Sequence, residues 1–390
     1  MKTLADANLA DARTAASSSP LSSLSNSEAP ITIAGIATAV PEHVFGRDEA
    51  KVYLNKVFTL SESRTNLMLD VISNLQIERR HCTYPVDYLI EPRPLGQITL
   101  EYKEHAIVLA KRAAVACLER AGLEPSDIDL LITVSCTGVL LPSTGAHLVN
   151  EMGFRSDVRR MPITELGCAG GAAALGRAWD YLRGVREGNV LLIAVELPSL
   201  TFQRRDVSIA NMISAVLFGD GAAAVALTRR ADPADAASAG GDGFSRPQLV
   251  DVHSHLFPNS LTALGFDLKE TGFHIVLSKD MPELIRGAIQ RLLDELIGRY
   301  GLTSKDITAY ILHPGGRKLL ECIEEELGLS REQTQPSWDV LRSYGNQSSA
   351  SVLFVLHEWI TKAQMSPGDL GFLAAFGPGF STDMALLRWV

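Results

Sequence analysis

The hydrophobic positions of the chain follow two periods in turn. From Ala106 to Gly122 apolar residues recur at helical spacing, and the segment GLEPSDIDLLITVSCTG that follows carries a short apolar strand behind Gly122, Asp127 and Ile128. The same succession returns later, with a helical period from Leu284 to Gly301 and then GLTSKDITAYILHPGG, where Gly301, Asp306 and Ile307 precede the strand. The two glycines stand as far apart as the two aspartates, so one pattern occurs twice. Each copy runs on to an apolar strand with a glycine turn, VLFGDGAAAVAL around Phe218 and LAAFGPGFSTDMALL around Phe376. These landmarks lie closer together than the glycines do, which places the insertions in the first half. Helices alternating with buried strands predict an α/β architecture with both sheet faces covered.

The pattern divides the chain into a leader over residues 1–30, a first half over 31–230, a connector over 231–247 and a second half over 248–390. The leader is rich in Ala, Ser and Asp, lacks the apolar core of a secretory signal, and reads as disordered. The segment RRADPADAASAGGDGFSRP reads as a surface connector. Two similar halves form a pseudo-dyad, and a site at their junction can draw residues from each.

Composition narrows the partners. With 46% hydrophobic and 21% charged residues the body is globular in type, and a net charge of −9 without a basic, aromatic-interleaved patch argues against nucleic acid or an anionic membrane as a partner. No apolar run approaches the roughly 18 residues of a spanning helix, so a soluble protein is expected. The five cysteines, Cys82, Cys117, Cys136, Cys168 and Cys322, form neither CxxC pairs nor a Cys/His cluster. Neither disulfides nor a metal site is indicated, and the reducing cytoplasm is the expected compartment.

Three residues can carry chemistry. Cys168 lies in MPITELGCAGGAAALGRAWDYL, where an apolar run breaks into small residues that open a helix. The helix dipole there favours thiolate, so alkylation below the usual thiol pKa of about 8.5 is expected; a buried inert thiol is the competing reading. His313 follows the strand AYIL and precedes PGG, at the carboxyl end of a strand where ligands gather in α/β sheets, although a loop histidine would have the same surroundings. Asn346, in SYGNQSSASVLFVL, is either an ordinary helix cap or a neutral donor to an oxyanion. Together they suit decarboxylative condensation of thioesters, which needs a thiolate carrier and donors for an enolate, with no metal or redox cofactor.

The segments VSCTG with LPS, ELGCAGG, LFGDGAAAV, LHPGG, YGNQSSA and AFGPGF give the chain, after its leader, a strong resemblance to the chalcone synthase-like type III polyketide synthases. VELPSLTFQRRD, HSHLFPNSL and the LLRW ending resemble the bacterial alkylpyrone and alkylresorcinol synthases most. The resemblance implies a duplicated thiolase-type αβαβα fold, a homodimer, acyl-CoA and malonyl-CoA as substrates, and a triad of Cys168, His313 and Asn346. It also implies that Phe218 gates the acyl tunnel, that Cys136, Thr137, Thr201 and Ser348 line it, and that Leu141 reaches across the dimer into the partner's cavity.

Two departures from the family pattern stand out. A second gatekeeping aromatic is replaced by Ile275, which predicts a wide, wholly aliphatic passage suited to medium- or long-chain acyl starters and to alkylpyrone or alkylresorcinol products. The basic residues by which plant members grip CoA phosphates fall on Leu67, Asp70 and Asn74, leaving Arg64, Arg79 or Arg80 as substitutes. The alternatives are an initiating ketoacyl carrier-protein synthase, a type III synthase that uses acetyl, malonyl or aromatic starters, and a non-catalytic paralogue. Thiolases fit less well, because no second catalytic cysteine follows a C-terminal strand.

Overall fold

The computed structural model describes residues 29–390 except 59, 231–244, 279–280 and 364. The predicted leader up to residue 28 and the connector from 231 to 244 lie outside the described residues. Among those described, no helix is long and apolar enough to cross a membrane.

The first half contributes five neighbouring strands, in the order Ile31–Ala39, Gly221–Arg229, Gly188–Glu196, Leu130–Val134 and Arg159–Ile163. The second contributes Pro247–Leu256, Ser381–Trp389, Leu370–Gly377 and Ile307–Leu312. The groups join where Ile31 and Thr32 meet Leu249 and Gln248, giving one nine-stranded sheet. Each half repeats the same pairings. Leu130–Val134 lies parallel to Gly188–Glu196 as Ile307–Leu312 lies parallel to Leu370–Gly377, and the next neighbour is antiparallel in both. Every residue of Gly221–Arg229 and of Leu370–Gly377 is buried, as strands covered on both faces must be.

Three apolar clusters define the layers. The 27-residue helix Leu95–Ala121 covers the outer face of the first group, and helices Ile289–Ile297, Arg317–Leu327 and Arg331–Tyr344 cover that of the second. Between the two groups lie helices Gly170–Arg183 and Ser351–Thr361, whose apolar side chains share one cluster with strands of both halves. This is the αβαβα arrangement of the thiolase-type fold. The central helices approach closely because a Cβ on Gly171 would stand 2.2 Å from the Ser349 carbonyl oxygen. No side chain fits there.

The repeated glycines and aspartates have a local cause. Gly122 and Gly301 take the left-handed conformation that ends each helix, with φ of 63° and 68°. Asp127 then accepts the Glu124 N–H at 2.9 Å, and Asp306 accepts the Thr303 N–H at 2.7 Å, capping matching turns before the strands. One expectation is corrected: the helical period from Leu284 to Gly301 is broken into Met281–Ile285, Ile289–Ile297 and the turn Gly298–Tyr300, with Gly287 at φ 67° between the first two.

Candidate active site

Cys168 sits in the single turn Gly167–Ala169 that leads into the central helix Gly170–Arg183. Gly167, at φ 48°, is pressed against Pro378, whose Cδ would be 2.5 Å from an added Cβ. His313 follows strand Ile307–Leu312 directly, donating its N–H to Ala374 O at 2.9 Å and accepting from Gly315 N at 2.9 Å. Asn346 follows helix Arg331–Tyr344 through Gly345 at φ 70°. Its backbone bonds the other half: Asn346 N donates to Leu217 O at 2.9 Å, and Gly219 N donates to Asn346 O at 3.0 Å. Phe218 and Asn346 are therefore held by one bridge between the halves.

The Asn346 side chain is fixed at both ends. Its oxygen accepts from Ser348 N at 2.8 Å and from Ser351 Oγ at 3.3 Å, while Nδ2 donates to Gly315 O at 3.3 Å in the loop after His313. Ser348 stands between two thiols, its Oγ 3.5 Å from Cys168 Sγ and 3.2 Å from Cys136 Sγ. It is held at φ 50°, a conformation unfavourable for a residue with a Cβ.

Burial governs the charges. It pushes the Cys168 thiol up to about 11, against the opposing hydrogen bonds from Ser348 and Asn346. It pulls His313 down to about 3. His313 is only 2% exposed, and its Nδ1 is buried without a partner. The resting pair is thus a neutral thiol and a neutral imidazole, and among the described residues no hydrogen bond joins them. The thiolate expected from the helix dipole is corrected: the helix start does not offset the loss of water around the sulfur. With Nδ1 buried and unpartnered, an Nε2–H tautomer lets the imidazole donate, as the Asn346 amide can, to a carbonyl or enolate oxygen.

A cavity of about 20 Å³ opens beside the sulfur, bounded by Cys136, Thr137, Cys168, Thr201, Phe218, Ile275 and Ser348 together with Phe266. Leu141 is not among its walls and is 95% exposed. Phe266 overturns the wholly aliphatic passage, because it pairs with Ile275 across the hairpin Leu264–Lys269 and Gly272–Leu277 and supplies an aromatic wall from the neighbouring strand. Arg80 is corrected as a CoA anchor as well, since it is 4% exposed and turned inward. Arg64 donates to the Val207 carbonyl at 3.1 Å.

The residue that sequence reasoning missed is Glu196. Fully buried at the end of strand Gly188–Glu196, it accepts from Ser135 Oγ at 3.2 Å, Thr137 Oγ1 at 2.7 Å, the N–H groups of Cys136 and Thr137, and Ser349 Oγ. Burial raises its pKa despite these donors. A lone acid closing the apolar run NVLLIAVE was the available signal.

Two family models, the N-terminal and C-terminal domains of the chalcone and stilbene synthases, match residues 19–233 and 248–390. The chain belongs to that family, the type III polyketide synthases. It is similar to the 1,3,6,8-tetrahydroxynaphthalene synthase of Streptomyces peucetius subsp. caesius, 37% identical over 92% of this chain and 93% of the relative. The phloroglucinol synthase of Pseudomonas fluorescens is 33% identical over 90% and 96%. Among solved structures, the tetrahydroxynaphthalene synthase of Streptomyces coelicolor superposes with a TM-score of 0.83 at 33% identity, covering 92% of this chain and 99% of that one. PKS-I from the brown alga Ectocarpus siliculosus gives 0.85 at 30%, covering 94% and 100%. This type III polyketide synthase is accordingly an acyltransferase-type condensing enzyme, and the carrier-protein and non-catalytic alternatives are set aside. These relatives are named for aromatic products rather than for alkylpyrones or alkylresorcinols.

Proposed function

We propose that this synthase primes Cys168 with a medium- or long-chain acyl group from acyl-CoA, releasing the CoA thiol, and extends it with malonyl-CoA. Loss of carbon dioxide leaves an enolate held by His313 and Asn346; its carbon attacks the acyl carbonyl and expels the Cys168 thiolate. Repetition and ring closure give alkylpyrones or alkylresorcinols. The enzyme acts in the cytoplasm as a homodimer, and the exposed Leu141 is the residue offered to the partner's cavity.

One observation carries the choice of starter. A second cavity, of about 90 Å³ and walled largely by apolar side chains such as Tyr53, Leu54, Phe58, Leu89 and Met212, shares Pro198, Thr201, Ser214 and Phe218 with the catalytic cavity. An acyl chain passing Phe218 has an apolar space to enter, and each buried methylene contributes about 0.8 kcal/mol. Mass spectrometry of products from a panel of acyl-CoAs with malonyl-CoA tests the reading. Alkylpyrones or alkylresorcinols should dominate with octanoyl- to palmitoyl-CoA, and higher kcat/KM with acetyl- or p-coumaroyl-CoA would overturn it. A second reading, with an acetyl or malonyl starter, is favoured by the relatives, whose names denote tetrahydroxynaphthalene and phloroglucinol, products without an alkyl tail.

A further inference from the structure

The apolar side cavity contains a buried cation. Arg80, on the short strand Arg79–Cys82, lines it at 4% exposure, and its Nη1 is sealed from solvent without a hydrogen-bond partner. Its face lies over the Phe45 ring, with Cζ 4.4 Å from the centroid. The nearby groups of suitable sign are the Cys82 thiol, which also hydrogen-bonds the guanidinium, and the Asp220 carboxylate. The thiol is held neutral by burial, its pKa pushed up to about 12. Asp220 is already engaged, accepting from Thr83 N at 2.7 Å, Thr83 Oγ1 at 2.6 Å, Ser199 N at 2.9 Å and Ser199 Oγ at 2.5 Å. It attracts the guanidinium from a distance but leaves Nη1 unbonded.

An alkyl chain alone would leave that donor as it is. We propose that the side cavity binds a carboxylate carried on an aliphatic chain, with the chain along the apolar walls and the carboxylate on Arg80. The desolvation of Arg80 has already occurred on folding, so a ligand loses only the hydration of its own carboxylate and gains a charge-assisted hydrogen bond in return. The shared wall at Thr201 and Phe218 makes the far end of a starter on Cys168 the favoured source, an assignment that rests on the starter class proposed above; a free fatty acid is the other source.

Two arms separate the sources. The first compares kcat/KM for suberoyl-CoA with octanoyl-CoA, and sebacoyl-CoA with decanoyl-CoA, in the wild type and in Arg80→Met and Arg80→Lys. A starter source predicts that the dicarboxylic thioester is preferred at least about tenfold, that Arg80→Met loses the preference and that Arg80→Lys keeps part of it. The second measures binding of decanoate and of decanol to the intact protein by calorimetry. A free-acid source predicts decanoate binding at least about tenfold tighter than decanol, lost in Arg80→Met. Should Arg80→Met fail to fold, the wild-type preferences decide alone. No preference for a carboxylate in either arm overturns the proposal, and if octanoyl- and decanoyl-CoA are then still extended, the starter class stands without it. If no chain is extended as a thioester, the starter class fails and the binding arm alone decides.

Discussion

The two halves of the molecule use one backbone device for different chemistry. In the first, a single turn, Gly167–Ala169, opens central helix Gly170–Arg183 and carries Cys168; in the second, the turn Ser348–Ala350 opens central helix Ser351–Thr361 just after the Asn346 amide. The parallel strands also match, but Ile307–Leu312 ends at His313 whereas Leu130–Val134 ends at Ser135 and Cys136, both bonded to Glu196. Duplication thus supplied paired positions at the junction. Side-chain identity then distinguishes them, with the Cys168 thiol on one side and the His313 imidazole and Asn346 amide on the other.

The sharpest break of this division is Cys168→Ala, which should abolish acyl transfer, because no other group forms the thioester. Intact-protein mass spectrometry with acyl-CoA should show the adduct on the wild type and none on the variant; turnover surviving in the variant would refute the assignment. On the other side of the junction, His313→Ala and Asn346→Ala should each lower malonyl-CoA decarboxylation by roughly 10²–10³, the usual loss for an oxyanion donor. Carbon dioxide release measures it, and a loss below tenfold in both would remove them from that role.

A third test concerns charge. Because burial raises the Cys168 thiol to about 11, inactivation by iodoacetamide in the free enzyme should climb with pH beyond the ordinary thiol range. A midpoint below that range would restore the thiolate expected from the helix dipole. His313 has the opposite linkage: its folded value is depressed to about 3 from 6.5, so the unfolded chain takes up the proton first. Its contribution to stability is present above about 6.5 and is lost as pH falls toward about 3, which acid titration of urea midpoints in the wild type and a His313→Gln variant would resolve. The smallest effect is expected from Ile275→Phe. With Phe266 already opposite, another ring should shorten the preferred starter by a few methylenes, at about 0.8 kcal/mol each, and leave decarboxylation within about twofold. An unchanged chain-length profile would show that Ile275 does not set the bore.

Much of this was legible in the sequence, for identifiable reasons. The repeated Gly122 and Gly301, and Asp127 and Asp306, are visible because helix ends and turn caps are local requirements that few residue types satisfy. Cys168, His313 and Asn346 stand at such local boundaries and in characteristic motifs. Glu196 was not legible, because its donors come from Ser135–Thr137 and Ser349, segments far apart in the chain. Phe266 escaped notice because the hairpin register, not its neighbours in sequence, sets it beside Ile275.

By itself the sequence determined the duplicated α/β plan, the family and the three chemical groups, since periodicity, turn residues and short motifs are properties of adjacent residues. Only the tertiary structure decided what charge those groups carry and what surrounds them. Arg80 shows the distinction most plainly. In the chain it is one of two neighbouring arginines suited to gripping phosphates in water; in the fold it lies over the Phe45 ring beside an apolar cavity, with Nη1 unbonded. Desolvation depends on which distant segments close over a group, and that is settled by packing alone.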